Sequence, residues 1–232
     1  MSLSEKILDD LKGGLIVSCQ ARRGWPMYGE KIMAAFANAA KQGGACGIRA
    51  NEPSNVKEIK EAVDIPVIGI NKIWSDKSDV YITPTFDSAA AVIESGADIL
   101  ALDATERSRP NGETLPDIIK RIKKKYPTIL IMGDIANLDD AKFASNSGCD
   151  LVATTLSGYT NATSKNKYID VSLVKEISNK LTLPVVAEGK VRTPSDAKKT
   201  LDLGAHSVVV GTMITRPEII TKTFVNEIKK GG

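Results

Sequence analysis

Two residues far apart in the chain offer proton chemistry. Lys72 comes just after the apolar run Val67-Ile68-Gly69-Ile70, and Glu188 ends the run Pro184-Val185-Val186-Ala187. A lysine withdrawn from water and set near other cations gives up its proton more easily, and its neutral amine then serves as a base. A carboxylate such as Glu188 could orient that lysine or carry a proton to a reacting carbonyl. The plainer alternatives are a solvated loop lysine, and an ion pair of Glu188 with Lys190 or Arg49. Other apolar runs end on Gln20, Arg49, Asp103, Asp134, Thr154 with Thr155, and Gly211, so nearly every run delivers a polar group. Two turns have the character of anion sites: Glu188-Gly189-Lys190, and Val210-Gly211-Thr212-Met213-Ile214-Thr215-Arg216-Pro217. Gly189 and Gly211 let backbone N–H groups approach an anion, a helix starting near Pro217 would add its dipole, and Arg216 could supply charge. The one histidine, His206, precedes the last apolar run, so a His-rich metal site cannot be assembled. The expectation is acid–base chemistry by amine and carboxylate, with no metal and no organic cofactor.

These residues need a scaffold that brings run ends together, and the repeats in the chain supply one. Glycines at 44, 96, 148 and 204 each precede two small or polar residues and a largely apolar run. A glycine just after a helical stretch is the expected C′ residue, because it alone enters the left-handed region cheaply. Between these units lie runs entered through Pro66, Pro127 and Pro184, and Leu15-Ile16-Val17-Ser18 opens the series. Short runs that are apolar on both faces indicate a buried parallel sheet. Helical segments fill the gaps: Ile32, Met33, Phe36 and Ala40 mark one apolar face, and Val56, Ile59 and Val63 the next. Asn137 with Asp140, and Thr193 with Pro194 and Asp196, have the pattern of capped helix starts. About eight alternations of strand and helix, in four double units, favour a closed (β/α)8 TIM barrel over a doubly wound sheet. The expectation is an α/β chain forming one barrel domain over residues 1–232. A short N-terminal helix over Ser4–Leu11 would close the floor, with His206 nearby. In such a barrel, function sits at the carboxyl ends of the strands.

Composition narrows the partners. A net charge of +3 with 5% aromatic residues argues against nucleic acid and leaves room for a small anionic substrate. No run is long and apolar enough for a membrane span, and the amino terminus lacks a signal-peptide core, so a cytoplasmic protein is expected. Cys19, Cys46 and Cys149 are odd in number and outside metal-ligand spacing, which fits small reduced hydrophobes.

From Gly14 to about Phe224 the chain resembles the bacterial N-acetylmannosamine-6-phosphate 2-epimerase family. The motifs that carry the resemblance begin with Gly14-Leu15-Ile16-Val17-Ser18-Cys19-Gln20, Ile48-Arg49-Ala50 and Val67-Ile68-Gly69-Ile70-Asn71-Lys72. They continue with Ala101-Leu102-Asp103-Ala104-Thr105, Thr154-Thr155-Leu156-Ser157-Gly158-Tyr159-Thr160, Val186-Ala187-Glu188-Gly189 and Ile214-Thr215-Arg216-Pro217-Glu218. The resemblance implies Lys72 as the group that removes and returns a C2 proton, with Glu188 as its partner. It implies Gln20, Arg49 and Asp134 as ligands of the sugar, Thr155 and Tyr159 as a loop near it, and Gly189, Gly211, Thr212 and Arg216 as the phosphate end. The implied reaction interconverts N-acetylmannosamine 6-phosphate and N-acetylglucosamine 6-phosphate in amino-sugar and sialic acid catabolism. Lys72 would deprotonate C2 of the open-chain sugar, rim donors would stabilise the enolate-like oxygen, and a proton would return on the opposite face. The partner is thus a phosphorylated amino sugar, and a homodimer is compatible with the reading. Ile73-Trp74-Ser75, Arg22-Arg23-Gly24-Trp25-Pro26, Gly133 and Thr212 depart from the family's pattern. Two rival readings remain: a Schiff-base aldolase that uses Lys72, and a sugar-phosphate sensor without catalysis.

Overall fold

The computed structural model describes residues 1–230. Eight parallel strands close into a barrel in sequence order: β1 (Leu15–Cys19), β2 (Gly47–Asn51), β3 (Val67–Ile70), β4 (Ile99–Asp103), β5 (Leu130–Asp134), β6 (Leu151–Ala153), β7 (Val185–Ala187) and β8 (Ser207–Val210). The seam is the pairing of β1 with β8, in the register Leu15 to Val208, Ile16 to Val209 and Val17 to Val210. The helices around it are α2 (Glu30–Gln42), α3 (Pro53–Ala62), α4 (Phe86–Glu94), α5 (Leu115–Lys125), α6 (Leu138–Ser147), α7 (Val171–Lys180) and α8 (Pro194–Asp202). A short α9 (Thr212–Thr215) and a final α10 (Pro217–Lys229) follow β8, and α1 (Leu3–Leu11) precedes β1.

Local chemistry explains where these elements begin and end. Asn137 caps α6 through the Asp140 amide, and Thr193 with Asp196 forms a complete capping box on α8, as the sequence predicts. Gly44, Gly96, Gly148 and Gly204 all have φ between +91° and +98°, the left-handed geometry expected after a helix.

Two apolar layers hold the barrel. Ile16, Ile68, Ile70, Ile99, Leu130, Met132, Leu151, Val186 and Val209 fill its interior, joined from below by Ile7 and Leu11 of α1. Val17, Ile48, Ala50, Val67, Leu100, Leu102, Ile131 and Val152 point the other way and pack on the helices. The alternation has period two, so Ser18, Arg49, Asp103 and Asp134 face inward at the carboxyl ends of their strands. The His206 ring is 2.7 Å from the Leu8 carbonyl of α1, which places it at the floor, away from the mouth. Gly133 also has a local reason: a Cβ there would lie 2.8 Å from Ala104 Cβ and 3.0 Å from Ala144 Cβ. No helix among the described residues is long and apolar enough to cross a membrane. Burial pushes the Cys19 and Cys149 thiols up to about 12, which suits packed, unreactive side chains.

Candidate active site

The mouth of the barrel opens into a cavity of about 910 Å³. Its wall includes Gln20, Lys72, Thr155, Tyr159, Glu188, Gly189, Gly211, Thr212 and Arg216, all singled out from the sequence. A volume of this size suits a small polar metabolite.

Lys72 stands two residues beyond β3, at the base of an arm the sequence did not reveal. Residues 72–82 form a two-stranded hairpin, in which Lys72 pairs with Ile82 and the Ile73 amide donates to the Tyr81 carbonyl at 2.9 Å. The Lys72 amide also donates to Asn51 Oδ1 of β2 at 2.8 Å, so the backbone carrying the side chain is pinned twice. Its Nζ donates to Gln20 Oε1 at 2.7 Å, and Gln20 Nε2 donates in turn to Ser18 Oγ at 2.8 Å. Burial is the largest cause that brings this ammonium down from 10.5 to about 8, and the Arg49 charge adds to it. Glu188 and Asp134 pull it back up, and Arg22 lowers it slightly. An amine poised near 8 is a competent base close to neutral pH.

Glu188 enters from the opposite part of the wall, one residue past β7. Its amide and carbonyl both bond to Thr154 Oγ1, at 3.0 and 2.9 Å, which fixes the strand end. Its carboxylate accepts from Arg49 Nη1 at 2.5 Å and makes no hydrogen bond to Lys72. Of the ion pairs considered from the sequence, the structure selects Arg49, while the Lys190 Nζ instead serves the Gly158 and Asn166 carbonyls. Burial raises the Glu188 carboxyl above the usual 4.5, Arg49 opposes this, and Asp134 reinforces it.

Arg49 and Asp134 lie beneath the cavity floor, with both side chains wholly buried. Arg49 grips Asp134 with two nitrogens, at 2.9 and 2.5 Å, and Thr155 Oγ1 donates to the same carboxylate at 2.6 Å. Neither side chain lines the cavity, while Glu188 and Thr155, which they bond, both do. Removing one charge from such a buried pair strands the other. Asp134→Asn should therefore lower the unfolding free energy by about 3 kcal/mol, read from the denaturant midpoint; a fall below about 1 kcal/mol would show that Glu188 alone satisfies Arg49.

The phosphate-like turns lie side by side at the mouth. Gly189 has φ +99°, the left-handed region that disfavours any side chain. The Gly211 Cα packs closely on Ser18, and Thr215 Oγ1 donates to the Ser18 carbonyl at 2.9 Å, tying this turn to β1. A helix does begin at Pro217, as the sequence predicts, and the short α9 adds an earlier helix start directly after Gly211. Arg216 is partly engaged, donating to Glu218 at 2.7 Å and lying over the Trp25 ring at 3.6 Å. Asp103 takes no part in the cavity, since Thr105 and Arg107 occupy its oxygens. Ser18, Arg22, Trp25, Tyr81 and Arg192 line the cavity without having been singled out as site residues. Ser18 was within reach of the alternation rule, two residues before Gln20; Tyr81 needed the hairpin. No group of three His, Cys, Asp or Glu among the described residues is arranged to hold a metal ion.

Comparison with known proteins agrees with the geometry. Residues 33–230 match the family described as "Putative N-acetylmannosamine-6-phosphate epimerase". The Listeria welshimeri protein named "Putative N-acetylmannosamine-6-phosphate 2-epimerase" is 47% identical over 230 residues, covering 98% of each chain. A Clostridioides difficile protein of the same name is 48% identical over 96% of this chain and 99% of its own. The solved N-acetylmannosamine-6-phosphate 2-epimerase from Clostridium perfringens superposes with a TM-score of 0.91 at 44% identity, over 95% of both chains. A thiamine phosphate pyrophosphorylase from Pyrococcus furiosus, at 19% identity and a TM-score of 0.59, shares the fold alone. The chain belongs to the N-acetylmannosamine-6-phosphate epimerase family.

Proposed function

We propose that the protein interconverts N-acetylmannosamine 6-phosphate and N-acetylglucosamine 6-phosphate by moving the proton on C2. The observation that carries this is a lysine amine brought down to about 8 in the same cavity as a buried carboxyl raised above its usual range, inside a barrel of an epimerase family. In the open-chain sugar the C1 aldehyde acidifies the C2 proton, which the neutral Lys72 amine removes. The electron pair moves onto the C1 oxygen, and donors fixed in advance stabilise it without reorganising. In this reading Glu188, held by Arg49 rather than by Lys72, lends the proton of its protonated carboxyl to that oxygen. Once the planar C2 centre has turned its other face, the Lys72 ammonium returns a proton to it and the C1 hydroxyl gives its proton back to Glu188, which inverts C2 and restores the aldehyde and both groups. Gln20 holds the Lys72 amine in place between turnovers. The turns at Gly189 and Gly211, with Thr212 and Arg216, receive the phosphate in this reading; Thr155 and Tyr159 border the sugar.

Proton NMR in deuterated water with N-acetylmannosamine 6-phosphate tests the reaction directly. The second sugar should appear with deuterium at C2. A protein that bound the phosphosugar and left C2 unchanged would be a sensor, and one trapped on substrate by borohydride would be an aldolase. The phosphate carries its own expectation. Charge-assisted hydrogen bonds to it should make kcat/KM for unphosphorylated N-acetylmannosamine lower by at least about 10². Comparable efficiency on both sugars would make the two turns structural only.

A further inference from the structure

The two loops that stand apart in the sequence, Arg22–Pro26 after β1 and Ile73–Ser75 after β3, meet across the barrel mouth. Trp74 and Tyr81 stack on one another within the hairpin, their centroids 5.8 Å apart and their planes 12° from parallel. The Arg22 guanidinium lies 4.5 Å from the centre of the Trp74 ring and 5.4 Å from that of Trp25. Arg216 lies over Trp25 at 3.6 Å. Arg22 thus links the β1 and β3 loops, and Trp25 links them both to the β8 loop. The β1 loop is itself folded for this: the Trp25 amide donates to the Arg22 carbonyl at 2.9 Å, and the Tyr28 amide to the Trp25 carbonyl at 3.1 Å.

This stack orders the Arg22 side chain without using its donors. A guanidinium is held by an aromatic face through its own flat face, and its N–H groups radiate in its plane. Among the described residues Arg22 has no carboxylate partner and its guanidinium makes no hydrogen bond, yet it lines the cavity. The other cations of the wall differ. Lys190 is bound to two carbonyls, Arg216 to Glu218 and Lys72 to Gln20. Among the described residues Arg192 also keeps its side-chain donors free, but the ring it rests over at 5.6 Å, Tyr168, does not line the cavity. A side chain clamped at the mouth with its donors unspent is organised for an oxyanion.

We propose that Arg22 is a phosphate-binding residue, reaching the substrate's 6-phosphate from the β1 side across from the turns at Gly189 and Gly211. The proposal rests on the phosphosugar reading above and extends it to a residue outside those turns. Trp25 and Trp74 are its positioning residues: they hold the guanidinium and do not touch the phosphate.

The test compares Arg22→Gln with wild type on both sugars, with inorganic phosphate as a competitive probe. Arg22 is exposed and belongs to neither core layer, so the variant should fold and melt as wild type does. The expected result is a KM for N-acetylmannosamine 6-phosphate raised about 10- to 30-fold, with kcat within about threefold. The inhibition constant of phosphate should rise in parallel, while kcat/KM for the unphosphorylated sugar should move by less than about twofold. Arg22→Lys should recover only part of the loss, since a point charge replaces a fork. Trp74→Ala should raise the same KM by about three- to fivefold, and no further when Arg22 is already glutamine. Equal shifts on both sugars, or unchanged phosphate inhibition, would overturn the proposal and leave the phosphosugar reading intact. A wild-type enzyme indifferent to the phosphate would end both.

Discussion

Replacing Lys72 with alanine should lower kcat by at least about 10³ and leave phosphosugar binding within about tenfold, because an acid–base group contributes mainly in the transition state. The lysine is held at Nζ by Gln20 and at its backbone by Asn51, so its removal deletes a base and leaves the arm that carried it standing. Lys72→Arg sharpens the experiment. Arginine keeps the charge and cannot give up its proton at any working pH, so it should be as inactive as alanine. Substantial activity in the arginine variant would mean that position 72 supplies only a positive charge. The same residue helps set the pH profile. Its ammonium is brought down to about 8, so the active amine is the minor form below that value and the major form above it. Because the reaction needs Lys72 neutral and the Glu188 carboxyl protonated at once, wild-type kcat/KM should be bell-shaped, falling on the acid and the alkaline side alike. Glu188→Gln should remove one of the two limbs; a wild-type profile with a single limb would show that only one of the two groups titrates in the reaction.

Glu188→Gln should cost about 10³ in kcat, within the range expected for a single acid–base group. Glutamine keeps the volume and can accept from Arg49, which remains bound by Asp134, so the fold should stand. What disappears is the proton that a raised carboxyl can lend to the C1 oxygen. Without it the charge that develops when C2 is deprotonated has no acid to meet it, so turnover and C2 deuterium exchange should slow together. The double variant with Lys72→Ala should be little worse than the slower single one, since neither group completes the reaction without the other. Fully additive losses would assign Glu188 to substrate binding. Exchange that persists while epimerisation stops would make Glu188 the group that returns the proton to the opposite face.

The alternation of short apolar runs with helical stretches, and the glycines at 44, 96, 148 and 204, determined the barrel from the sequence alone. Both are local signals: a buried parallel strand must be apolar on both faces, and a helix end needs a residue that tolerates positive φ. They also placed Lys72 and Glu188 at run ends, and a barrel gathers all such ends at one mouth. Partnership is a different matter. Lys72 and Glu188 read as a natural pair, yet Lys72 bonds Gln20 and Glu188 bonds Arg49. That choice depends on how the ends of β1, β2, β3 and β7 stand beside one another, and strand register around a closed barrel is a property of the whole ring. The same holds for Arg49 and Asp134, 85 residues apart, whose full burial under the cavity no local pattern reveals. Val80-Tyr81-Ile82 carries no local sign of an arm because its partners are distant: Lys72 and Ile73 across the hairpin, Trp74 stacked on Tyr81, and the Asp103 amide on the Ile82 carbonyl. The first loop was visible as basic and aromatic. Only its folding against the hairpin decided that Arg22 faces the cavity, because stacking between side chains on separate loops is fixed by where the barrel sets those loops down.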